Sequence, residues 1–98
     1  MLDTKELEVQ QNERAQMALQ LFTKMCVDLN LNETSIAALL GVSRQTMLNY
    51  KQGRVPCRGV TTRIRMVAPL VKQAEAQNIL PAPSARKQGE LVKAILAQ

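Results

Sequence analysis

The sequence predicts an all-α fold, and three observations carry that expectation. Aromatic residues make up 2% of the chain and apolar residues 46%, so a core has to be assembled from Leu, Ile, Val, Met and Ala, a set that suits helices better than strands. Apolar residues recur at intervals of three and four along several stretches. Asn, Ser and Gly stand where those stretches begin and end, as helix caps do. A length of 98 residues allows one core of modest size, because chains this short leave much of their surface in water.

Up to Glu13 the pattern is weak, with Leu7 and Val9 as isolated apolar points in a charged, Gln-rich stretch. Residues 1–13 are therefore set apart as an extension: a lengthened first helix, a dimer contact or a disordered arm. From Arg14 onward, Ala18, Leu21, Phe22, Met25 and Leu29 form one helical stripe. Asn30 and Asn32 interrupt it, and Asn32 caps a short second helix from Glu33 to about Leu40 that buries Ile36, Ala37 and Leu40. Gly41 takes positive φ without steric cost and ends that helix in a sharp turn. Ser43 caps a third helix, in which Met47 and Tyr50 point the same way as Val42, and Gly53 ends it.

"RVPCRG" at 54–59 reads as a loop, punctuated by Pro56 and Gly59. Val60, Ile64, Val67 and Val71 then mark a fourth helix, and Pro69, on the opposite face, either kinks or splits it. These elements assign 14–80 to one domain. "PAPS" at 81–84 is a stiff connector, and beyond it Leu91, Val92, Ile95 and Leu96 give the stretch from Ala85 to Ala97 an apolar face. A helix this short needs a packing partner. Residues 81–98 are expected to project it from the body and pair it with a second subunit, ahead of packing on its own core.

The net charge of +5 is unevenly placed: residues 31–65 hold one acid against six bases, and no acidic residue occurs between Glu33 and Glu75. Such a segment is the electrostatic footprint of a polyanion binder. With no histidine and two cysteines a zinc site lacks ligands, and Cys26 and Cys57 are expected to be reduced, small, buried thiols. No phosphate loop, activated nucleophile or carboxylate cluster points to an enzyme or a cofactor. No run approaches a membrane span and the first twenty residues are mixed in charge, so a cytoplasmic protein is expected. Phe22 and Tyr50 both sit on apolar faces and are expected in the core, which argues against base stacking on RNA.

Residues 33–52 run helix, tight glycine turn, helix, with Ala37 small at the crossing, Gly41 at the turn, and Ile36, Leu40, Val42, Met47 and Tyr50 as apolar contacts. The stretch "LNETSIAALLGVSRQTMLNYKQGRVP" resembles the helix-turn-helix of the lambda-repressor and Cro superfamily of phage and bacterial regulators. The resemblance covers about residues 15–72 and implies a lambda-repressor-like bundle of four to five helices, here with an extra C-terminal helix, that binds double-stranded DNA. It implies that Arg44, Gln45, Thr46 and Asn49 meet base edges: Arg44 on guanine, Gln45 or Asn49 on adenine, the Thr46 methyl on thymine. It assigns phosphate contacts to Ser43, Lys51, Arg54 and Arg58. Many family members carry Gln where this chain has Glu33, and a carboxylate repels phosphate, so anchoring at that end falls to Thr34, Ser35 and the backbone amides. The implied activity is that of a homodimeric repressor on a palindromic operator, and the C-terminal apolar stripe of Leu91, Val92, Ile95 and Leu96 is the expected dimer contact. The alternative is a DNA-binding antitoxin or recombination accessory subunit whose C-terminal helix docks a partner protein.

Overall fold

A computed structural model describes residues 3–97. It contains five helices and, among the described residues, no strand: α1 Thr4–Asp28, α2 Glu33–Leu40, α3 Arg44–Lys51, α4 Arg58–Ala76 and α5 Ala85–Leu96. The all-α expectation holds, and the caps explain most boundaries. The side chains of Asp3, Asn32, Ser43 and Ser84 each accept a bond from a first-turn amide of the helix that follows. Each such cap stabilises its helix by about 1 kcal/mol.

α1 runs through residues 13 and 14 without a break, so of the three forms open to the extension the structure shows the lengthened helix. Its buried face is not quite the expected one. Leu19, Phe22, Cys26 and Leu29 are buried, whereas Leu21 is 62% exposed. Both 18-22-25-29 and 19-22-26-29 satisfy helical spacing, and the position of α4, against which α1 packs, selects the second. Cys26 is fully buried, and burial pushes its thiol up to about 12. Cys57, expected to be buried as well, is exposed at the N-cap of α4, because the loop before it turns Pro56 inward instead.

α2 lies at the centre, against α3, α4 and α5, and this explains a burial pattern wider than one stripe: Leu39, absent from the expected set, is fully buried beside Ile36, Ala37 and Leu40. α4 buries Val60, Ile64, Val67 and Val71 as expected, together with Ala74. It does not split at Pro69. The proline sits on the exposed side, where water can bond the carbonyl that its missing N–H leaves free.

The largest correction concerns α5. Val92 and Ile95 are buried in the chain's own core and Leu91 packs against it, so the stripe proposed for a second subunit, or for a partner protein, is already occupied; of the four residues only Leu96 is exposed. The connector does not project the helix, because Leu80 is buried and Ala82 half-buried, and together they anchor the chain as it turns back. α5 then lies on α2 and α4.

A buried amide locks this return. Gln88 Oε1 accepts from Asn32 N at 3.0 Å and from Ser35 Oγ at 2.6 Å, and its Nε2 donates to Asn30 O at 3.0 Å. Gln88→Leu removes all three bonds and strands the buried Ser35 hydroxyl, so it is expected to lower unfolding free energy by about 2 kcal/mol or more in urea titration. Cutting the chain after Pro83 uncovers α2 and is expected to leave no cooperative thermal transition. In the folded protein a maleimide should label Cys57 at once and Cys26 only on unfolding, a difference that mass spectrometry of timed samples reads directly.

Candidate nucleic-acid interface

The turn between α2 and α3 is satisfied on every side. Gly41 adopts φ 71°, its N–H bonds Ala38 O at 3.1 Å, and Val42 N–H bonds Ala37 O at 3.0 Å. A Cβ at Gly41 would have room, its nearest neighbour being Arg63 Cζ at 3.9 Å, so the backbone conformation alone calls for glycine. Arg63 reaches across from α4, and its Nε donates to Leu39 O at 2.9 Å, capping a carbonyl that α2 leaves free at its end. Ser43 Oγ accepts from Thr46 N at 3.1 Å to open α3. Buried Met47 and half-buried Tyr50 hold the inner face of α3 on the core. Burial raises the Tyr50 phenol above its ordinary value; nearby Cys57 adds to the shift and Arg54 opposes it.

The opposite side of α3 carries Arg44, Gln45, Leu48 and Asn49, at i, i+1, i+4 and i+5. Arg44, Gln45 and Leu48 are exposed and Asn49 is half-buried. Gln45 Nε2 donates to Asn49 Oδ1 at 3.2 Å, so the two amides expected to read adenine face solvent as a linked pair. Thr46 departs from its expected role. It is half-buried, and its hydroxyl is bonded to Ser43 Oγ at 2.9 Å, which turns it toward the cap instead of the outer face. Leu48, 46% exposed in the middle of that face, is the apolar group the sequence reading missed. Its position four residues after Arg44 was the available signal.

The residues expected on phosphate separate into two groups. Thr34, Arg54 and Arg58 are exposed, and neither arginine enters a salt bridge among the described residues. Arg58 opens α4, whose N-cap Cys57 supplies no side-chain bond to the first-turn amides. Ser35, by contrast, is buried with its hydroxyl committed to Gln88, and is corrected to a structural residue. Ser43 Oγ is occupied at the cap. Lys51 is drawn onto Glu33 in an exposed ion pair joining the end of α3 to the start of α2. Of the six bases in 31–65, Arg63 holds a carbonyl and Lys51 a carboxylate; Arg44, Arg54, Arg58 and Arg65 are left exposed and outside any salt bridge among the described residues.

No family model matches the chain, and neither the curated proteins nor the solved structures provide a match.

The hydrogen bond and charge of Lys51 hold the Glu33 carboxyl below its ordinary value of 4.5 against the opposing effect of desolvation, with the smallest contribution, also downward, from Arg44. Because the folded value is depressed, whatever stability the pair contributes is present above 4.5 and is lost as pH falls through the lowered folded value. In a carbon-13 NMR titration Glu33 is expected to protonate below its ordinary value, and in Lys51→Ala to return toward it.

Proposed function

We propose that the chain is a sequence-specific regulator that binds double-stranded DNA, with α3 in the major groove. The reading rests chiefly on the outer face of α3, where Arg44, Gln45 and Leu48 are exposed side by side on a helix pinned at both ends. A major groove accepts a helix, and these side chains match the features it displays: guanidinium for guanine, amide for adenine, aliphatic carbon for the thymine methyl. Arg54 and Arg58 follow directly on the chain and supply the phosphate contacts that set register, aided by the uncapped amides of α4. The resemblance of 15–72 to the lambda-repressor and Cro superfamily implies the same placement.

The protein acts as a homodimer on a two-fold operator, because one short recognition helix spans few base pairs and a pair reads two half-sites about 34 Å apart. A repressor of the phage or plasmid type, working in the cytoplasm, fits this size and charge. Among the described residues no helix is long and apolar enough to cross a membrane. Docking of an antitoxin-type partner through α5 has lost its support, since Val92 and Ile95 serve the core.

Selection of bound duplexes from a random pool tests the reading, and a palindromic consensus is the expected result. With that site in hand, Arg44→Ala and Gln45→Ala should each cost on the order of 1–3 kcal/mol and relax preference at one position per half-site. Leu48→Ala should weaken discrimination of thymine from cytosine. Arg54→Ala and Arg58→Ala should instead weaken binding to all duplexes and reduce the slope of log K against log salt by about one unit for each phosphate no longer neutralised. Equal loss on every sequence from the α3 substitutions, with unchanged salt slopes from the arginines, would remove this face from the interface.

A further inference from the structure

The first three turns of α1 are the least supported part of the fold. Residues 3–14 are exposed throughout, and burial begins only at Ala15. The face that carries Phe22 and Leu29 into the core continues toward the N-terminus through Ala18, Arg14, Gln11 and Leu7, all at helical spacing. At Leu7, 47% exposed, nothing covers it. An isolated helix of about ten residues is marginal in water, so this arm gains stability only by packing.

Beside the base of the arm lies an open cleft of about 670 Å³ between α1 and the start of α4. Ala15, Ala18, Pro56 and Ile64 are among its apolar lining, and Arg14, Arg58 and Arg65 also line it. The arm has the opposite charge: Asp3, Glu6, Glu8 and Glu13 against Lys5, four acids less one base, or −3 over residues 3–13. Leu7 and Glu8 stand one turn before Gln11 and Asn12, so an apolar and an acidic side chain extend the face that lines the cleft.

We propose that this cleft receives the α1 arm of a second copy of the chain, the two arms exchanging in an antiparallel two-fold pair. Arm and cleft share one helix, so a single antiparallel crossing of α1 on its counterpart seats both arms at once and closes the assembly at two. The base of the arm, at Gln11 and Asn12, lines its own cleft, and the continuous helix carries the residues before them past it, so the cleft stays open to the other copy's arm. Leu7 packs over the small side chains of Ala15 and Ala18, and Glu8 meets Arg65. This assignment does not rest on the DNA reading. Arg58 belongs to both surfaces, so Arg65 is the position to test.

Sedimentation velocity of the full chain without DNA, across the micromolar range, provides the test, with circular dichroism confirming that each variant is folded. The full chain is expected to dimerise. Leu7→Asp, Glu8→Arg and Arg65→Glu are each expected to raise the dissociation constant about tenfold or more, since the last two bring like charges together. The double variant Glu8→Arg with Arg65→Glu restores opposite charges and is expected to recover dimer. A chain that stays monomeric, single variants that dimerise as before, or a double variant no better than its parents would overturn the proposal. Loss of duplex binding in Arg65→Glu with dimerisation intact would also overturn it, and would give the cleft to phosphate.

Discussion

Where α1 stops at Asp28 and α2 starts at Glu33, the chain presents backbone groups that neither helix can satisfy, and an amide from the far end of the sequence meets them there. Gln88 takes the Asn32 N–H and the Ser35 hydroxyl on one atom and gives its own N–H to Asn30 O. The site is buried, so each bond is worth more made than its small net contribution suggests: a stranded polar group costs about 1–3 kcal/mol. Such bonds are directional, and they set where α5 sits along α2 more sharply than the apolar contacts of Val92 and Ile95 do. With α5 in place the central helix packs against α3, α4 and α5, and the Gly41 turn and α3 inherit a rigid base.

If α3 reads DNA as proposed, that base matters, because a helix reads bases only if its own rotation is held. α3 has eight residues, too few to persist alone, and it is held by the Ser43 cap at one end, by Met47 and Tyr50 beneath, and by the Lys51–Glu33 pair at the other end. The ion pair is exposed and adds little stability. Its greater consequence is for charge. Glu33, which by itself would repel phosphate, is neutralised by a lysine that is no longer free to bind one. Arg63 is likewise turned inward to Leu39 O. The basic segment that looks uniform in sequence thus resolves into charges that hold the turn together and charges that remain exposed.

α1 unites two environments in one helix. Its second half is a core element against α4, tied to the loop after α3 by Gln16 Nε2 on Gly53 O at 3.1 Å. Its N-terminal part, acidic over residues 3–13, carries Leu7 and Val9 in solvent. An acidic arm is electrostatically unsuited to the surface of DNA and complementary to a basic one, which is the charge argument behind the proposed arm exchange.

Local chemistry was readable directly. The caps at Asn32 and Ser43, the glycine turn at Gly41 and the Val60-Ile64-Val67-Val71 stripe depend on neighbours within a turn or two, so the amino-acid sequence by itself determined the helix order, the boundaries of α2 and the composition of the candidate DNA face around Arg44, Gln45 and Asn49. Tertiary structure decided what depends on distant partners. Spacing locates a helix face only to within about one residue, so it could not choose Leu19 and Cys26 over Leu21 until α4 was in place. An apolar stripe states that burial is needed and not by what, so α5 in its own core and α5 in a dimer read alike. Ser35, Ser43, Thr46 and Lys51 have the right chemistry for phosphate or base, but a polar group bonds whatever partner the fold brings first, and here Gln88, the α3 cap and Glu33 arrive before any ligand.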